Sequence, residues 1–323
     1  MPRLNHGTLL ENLVVLEVAR VLTRRTEATV EFACSFAMPP LTQCWHRTQQ
    51  EPVNNPRFNA GVMANLLNGT FAVGAPTSYS ALLRDCLANA PSFPVVPYAL
   101  TDATQLCEYG GPNGALLAAL LTTRRGQSIR IWSNDLADHR ARYRGTPVPD
   151  ASTECPRTTE YAAGLSPGNS AMPGVDLFCG QEFPDSVPAM ASWCGGCAIR
   201  IGFLDPDSYV AAGAPVPGQV DRSAHCRWLT DLHRDAETTA GVMFFASQYA
   251  PGRPALIAAF HDDARDDYPR SVVFCHGNYM VGVKLRCHET DRIHLIIDRV
   301  RDAWVSWSEM VGRDADGLSW DLN

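Results

Sequence analysis

Apolar residues recur at helical spacing from Thr8 to Arg25, where Leu9, Leu10, Leu13, Val14, Leu16, Val18, Val21 and Leu22 form a broad apolar face. Arg24 and Arg25 lie at its end, where cations suit the helix dipole. Ala28–Cys34 then reads as a first buried strand. Beyond Pro39-Pro40, to about residue 105, the chain is rich in Asn, Pro and Gly and carries one helix pattern, Ser80–Ala90, which predicts an insertion packed over the main sheet. A regular alternation follows: helix Gly114–Thr123, strand Ser128–Ser133, a short polar helix Asp138–Arg144, and a long loop, Gly145–Gly174. Strands are predicted at Val175–Phe178, Ala198–Leu204 and Gly241–Ala246, with helices between them, the clearest at Ser223–Thr238. Ser271–Cys275 and Tyr279–Leu285 flank the tight turn His276-Gly277-Asn278 as a hairpin, and a final helix spans Ile293–Val311.

Five strands with helical crossovers and then an antiparallel pair predict an α/β fold. Its expected form is a doubly wound, Rossmann-like seven-stranded sheet with a terminal antiparallel hairpin and a helical insertion after the first strand. The divisions are residues 1–38 for the first helix and strand, 39–105 for the inserted subdomain, and 106–323 for the remainder of the core. Periodicity by itself also fits a generic doubly wound α/β protein.

A composition of 46% hydrophobic and 19% charged residues places the chain with globular proteins rather than disordered ones. Lys284 is the only lysine, so the basic side is almost all Arg. A net charge of −7 argues against strong non-specific nucleic-acid binding, although Arg24-Arg25, Arg124-Arg125 and Arg140-Arg142-Arg144 leave local contacts to phosphate open. Eleven cysteines at scattered spacings, without a secretion signal, fit reduced thiols in the cytoplasm. Cys194-Gly-Gly-Cys197 is the one CxxC pair, and no second pair with zinc spacing exists, so buried thiols are expected there and a metal is not. No apolar run reaches the roughly 18 residues of a membrane span.

In such a sheet the carboxyl ends of strands one to four converge on one crevice. Glu31 to Ala37, Asn134-Asp135, Cys179-Gly180 and Asp205 to Tyr209 would thereby become neighbours. Asp205-Pro206 closes the β-branched run that starts at Ala198, and its two readings are a carboxylate held at a catalytic edge or an ordinary turn. Asp135 has the two oxygens that match a vicinal diol, or it caps the following helix. Gly110-Gly111-Pro112-Asn113-Gly114 lets backbone approach a ligand, or turns the chain into the next helix.

The segment Asp205-Pro-Asp-Ser-Tyr209 resembles the Asp-Pro-Pro-Tyr box of amino-group methyltransferases, with Tyr209 one residue late. Taken with it, Asn5-His6-Gly7 before a Leu-rich helix, the Tyr109-Gly-Gly-Pro-Asn-Gly-Ala segment, Asp135-Leu136 and the insertion after strand one resemble the large-subunit ribosomal RNA adenine-N6 methyltransferases, class I enzymes that use S-adenosylmethionine. The resemblance implies that His6, Glu31, Gly111, Asp135, Cys179 and Gly180 hold the cofactor, with Asp135 on its ribose. It also implies that Asp205 and the Pro206 carbonyl hold the target amine while Tyr209 stacks on its ring. Three departures stand beside it. Glu31–Ala37 contains no glycine, Glu11-Asn12 replaces a Lys-His pair, and Cys179 stands where an acid or amide usually contacts adenine.

The expected activity is transfer of a methyl group from S-adenosylmethionine to an amine, first an adenine of a nucleic acid, as in RNA modification. Acidic charge and the single lysine favour a small-molecule acceptor instead, and the glycine-free loop favours a non-catalytic binding protein. Neither a membrane partner nor a resident metal is expected, and the oligomeric state is left open.

Overall fold

In the computed structural model, residues 6–24, 29–35, 129–135, 175–179, 182–206, 208–211, 213, 215, 218–246, 252–289, 291–310 and 317–323 are described. The expected insertion, the helices at Gly114–Thr123 and Asp138–Arg144, the loop at Gly145–Gly174, and the glycines Gly111 and Gly180 lie outside them. The first helix, α1, spans His6–Leu22. From Leu10 onward its apolar stripe is buried, and so are Glu11, Asn12 and Glu17 between the apolar positions. The strands that follow are β1 (Val30–Ser35), β2 (Ile129–Asp135) and β3 (Val175–Cys179). Helix α2 (Phe183–Trp193) leads to β4 (Cys197–Leu204).

A small parallel ladder of β5 (Ser208–Val210) and β6 (Gln219–Asp221) comes next. Helix α3 (Arg222–Leu232) starts where the Asp221 carboxylate accepts the Ala224 N–H at 2.7 Å, a side-chain N-cap. The helix expected to reach Thr238 ends at Leu232, because Asp235 takes a left-handed φ of 56° and the β-branched Thr238-Thr239 belong to the next strand. That strand is β7 (Ala236–Ala246). Helix α4 (Arg253–Asp262), the hairpin β8 (Arg270–His276) and β9 (Tyr279–Arg286), helix α5 (Arg292–Met310) and strand β10 (Leu318–Leu322) complete the chain.

One sheet of eight strands runs in the order β10-β8-β9-β7-β4-β1-β2-β3. Strands β3, β2, β1, β4 and β7 are parallel, while β9, β8 and β10 pair antiparallel. The eighth strand is β10, which the period-two pattern did not announce. Helices α2, α3 and α4 pack on one face, with Trp132, Leu204, Met243, Trp228 and Phe260 in a single buried cluster, and α1 and α5 cover the other. Close packing here depends on absent side chains. A Cβ on Gly202 would lie 2.4 Å from Leu232, and one on Gly282 would lie 2.3 Å from Phe260. Among the described residues no helix is long and apolar enough to cross a membrane.

Candidate functional site

Parallel pairing fixes which residues reach the carboxyl edge. Ser35, the last residue of β1, is the register partner of Asn134 and Leu204, and Asp135 is the partner of Cys179. The next residue after β4, Asp205, donates its backbone N–H to the Ser35 carbonyl at 3.4 Å. Neighbouring strands stand about 4.8 Å apart, so Asp135 and Asp205 lie on strands separated by about 10 Å. Asp135, Cys179 and Asp205 therefore share one edge, as expected. His6 begins α1.

Glu11 of α1 faces this edge. Glu11 is 2% exposed, and burial, then the charge of Asp205, raises its pKa well above the ordinary carboxylate value, which favours the protonated acid. In the same turn Asn12 is fully buried, and among the described residues neither atom of its carboxamide has a hydrogen-bond partner. The Ser35 hydroxyl, also fully buried, has none among them either. Unpaired buried polar atoms are rare and each asks for a reason.

Two expected site residues are elsewhere. Glu31 is the second residue of β1, so it lies toward the amino end of the sheet, away from the crevice. Its register partners are Arg130 and Arg200. Arg200 Nε donates to Glu31 Oε2 at 2.9 Å, and Arg130 donates to Oε1 at 2.5 Å. Both oxygens are taken by guanidinium groups, which removes Glu31 from any cofactor site. The strand runs Val30–Ser35 rather than Ala28–Cys34, so Glu31 is its second residue rather than its fourth.

Tyr209 is the second correction. Its ring is 4% exposed, edge-on to His225 at 5.8 Å and to Phe245 at 5.7 Å, so no face is open to an acceptor. Its hydroxyl donates to Asp263 Oδ2, which raises the phenol pKa further above a value already lifted by burial. Asp263 also accepts from His225 Nδ1 at 2.8 Å and from Arg222 Nε at 2.8 Å. Burial works to raise the Asp263 pKa, but the His225, Tyr209 and Arg222 hydrogen bonds outweigh it and hold the carboxyl below its ordinary value. Burial lowers the His225 pKa against the pull of Asp263. This cluster ties the segment after Asp205-Pro206 to α3 and to the end of α4, a positioning role.

Cys194 and Cys197 flank the turn between α2 and β4, and burial pushes their thiols up to about 11 and about 12. Among the described residues no group of three or more His, Cys, Asp or Glu is placed to hold a metal ion. Two polar clusters were not among the expected site residues, although Glu11-Asn12 was noted as a departure. A Glu-Asn pair inside Leu9-Leu10-Glu11-Asn12-Leu13 was a visible signal, since charge on an apolar stripe demands a partner. The run His261-Asp262-Asp263-Ala264 carried no such signal.

No family model matches the chain, and no curated protein matches it in sequence. Among solved structures it is similar to protein LPL1258 from Legionella pneumophila str. Philadelphia 1, described by the family DUF519, with a TM-score of 0.55. Identity is 9%, over 99% of this chain and 98% of that one, so the likeness is one of fold.

Proposed function

We propose that the chain is an S-adenosylmethionine-dependent methyltransferase acting on an amine, with adenine N6 of a nucleic acid as the first acceptor to test. One observation carries the reading: Asp205-Pro206 closes β4 beside the end of β1, at the carboxyl edge of the sheet. The order β3-β2-β1-β4-β7-β9-β8 supports it, being that of the Rossmann-like class I methyltransferases, with β10 added beyond β8.

The polar end of the cofactor fits the unpartnered Asn12 carboxamide and Ser35 hydroxyl, and Asp135 at the end of β2 would take its ribose. When bound, S-adenosylmethionine supplies an electrophilic methyl on a sulfonium centre. Asp205 and the Pro206 carbonyl accept hydrogen bonds from the amine and aim its lone pair, a contribution made by alignment. Once methylated, the amine would lose its proton to solvent water, so no strong base is needed. The Asp263 cluster fixes the chain beyond Pro206.

A small-molecule amine is the second reading. Lys284 is fully buried, with its ammonium on the His261 carbonyl at 2.9 Å, so the single lysine adds nothing to an RNA-facing surface. Calorimetry with S-adenosylmethionine tests the cofactor: binding is expected, and Asp135→Ala should abolish it without unfolding. Unchanged affinity removes Asp135 from the site, and no binding by the parent protein moves the fold to a non-catalytic role. Retention on RNA that falls with salt separates the two acceptors.

A further inference from the structure

We infer that β10 pairs with β10 of a second copy of this chain, antiparallel and centred on Trp320, joining two sheets into one. The phase of the β8–β10 ladder is the first observation. Asn323 donates to the Ser271 carbonyl at 2.9 Å and Ser271 donates back to the Asn323 carbonyl at 3.2 Å. Such doubly bonded pairs alternate along an antiparallel ladder. With Trp320 opposite Phe274 and Asp321 opposite Val273, Asp321 and Ser319 turn their backbone groups to β8, and Leu318, Trp320 and Leu322 turn theirs outward. Among the described residues no strand takes them, because β10 ends the sheet.

The second observation is independent of backbone geometry. Trp320 is 41% exposed and Leu322 is 42% exposed, the exposed large hydrophobics among the described residues. They share one face of β10 with Leu318, and their partners Phe274 and Val272 are fully buried, so the apolar rows of that sheet face run out to an open edge. The strand has no lysine or proline to blunt it, and its one charge, Asp321, lies on the opposite face from Trp320.

Self-pairing is favoured over another occupant by charge and by symmetry. A two-fold axis at Trp320 sets Trp320 against Trp320, and Leu318 against Leu322, of the two copies. It sets Ser319 against Asp321, so the one charge on the strand meets no like charge. Asp321 is moreover held on the other face by His261 Nε2 at 2.9 Å. The outward N–H and C=O groups of Leu318, Trp320 and Leu322 then find partners in both directions. The interface is isologous and closes at two copies.

Sedimentation equilibrium of the full chain over a concentration series tests this. A mass of twice 35.3 kDa is expected. Trp320→Arg places like charges opposite each other across the axis and should weaken the dimer by about tenfold or more, with unchanged circular dichroism. Trp320→Glu should do the same alone, and an equal mixture of the two should recover more dimer than either. Leu322→Pro removes an outward N–H without touching the ladder to β8 and should weaken the dimer too. A protein that stays monomeric throughout the soluble range overturns the proposal. So does a dimer that is indifferent to Trp320→Arg and Leu322→Pro, or a mixture that recovers nothing.

Discussion

The two ends of the sheet bury polar groups in opposite ways. At the amino end Glu31, Arg130 and Arg200 stand side by side on three strands, and both Glu31 oxygens are taken by guanidinium groups. Fully buried Arg200 donates to Glu31, to the Leu232 carbonyl at 2.7 Å, and to the carbonyls of Arg234 and Gly195. At the carboxyl end Glu11 is buried near the charge of Asp205, and among the described residues the Asn12 amide beside it in sequence and the Ser35 hydroxyl at the end of β1 have no partner. Buried polarity that is satisfied ties elements together, and buried polarity that is not satisfied is held open for something else. The proposed site rests on this difference.

The largest effect should come from breaking the closed end. Glu31→Ala leaves a buried guanidinium without its counter-charge, and such a loss costs about 3–5 kcal/mol. Denaturant unfolding measures it. Cofactor affinity of the folded fraction should be unchanged, and a selective loss of affinity would return Glu31 to the site.

At the open end, Asp205→Asn should lower methyl transfer by about a hundredfold, the scale expected when reacting atoms lose alignment. Cofactor affinity should stay within about threefold, since the variant changes the acceptor side of the crevice. A rate assay paired with calorimetry checks both. A protein that melts lower yet transfers methyl at the parent rate would show Asp205 to be a turn residue.

How much of this was legible beforehand follows from the kind of signal each element leaves. The parallel strands were legible because burial on both faces produces dense runs such as Ile199–Leu204, and the hairpin because Gly277, at φ 57°, marks its turn. Strand β10 was not. Leu318, Trp320 and Leu322 alternate, but only over five residues at an edge, where half the pattern faces solvent. Asp205 was legible because proline stops a ladder visibly. Glu31 was misplaced because the crevice edge was counted from Glu31 onward, whereas β1 runs to Ser35 and Glu31 is its second residue. The Asp263 cluster joins residues 209, 222, 225 and 263, and no local pattern announces a contact over such separations.

Glu11→Gln acts through pH. The folded state prefers the protonated acid, so this group contributes stability below its unfolded pKa, and that contribution is lost as pH rises toward its raised folded pKa. A glutamine carries no such dependence. The variant should therefore match the parent near pH 4 and become progressively more stable than it toward neutrality. Thermal unfolding at a series of pH values reads the divergence, and parallel curves would mean that Glu11 ionises freely in the native protein.

The smallest effect is expected at Ser35. Its hydroxyl is fully buried and unpaired, so Ser35→Ala removes a desolvated group that gains nothing in return, and leaving such a group unmade costs roughly 1–3 kcal/mol. The lost volume is a single oxygen, which offsets part of that gain. The unliganded variant should unfold at the parent concentration of denaturant or slightly above it, opposite in sign to Glu31→Ala although both residues are buried polar groups on β1. Adding S-adenosylmethionine should narrow or reverse the difference, because a ligand that bonds the hydroxyl stabilises only the parent through it. A clear loss of stability in the unliganded variant would show that Ser35 is satisfied in the resting protein, and would dissolve the contrast between the two ends of the sheet.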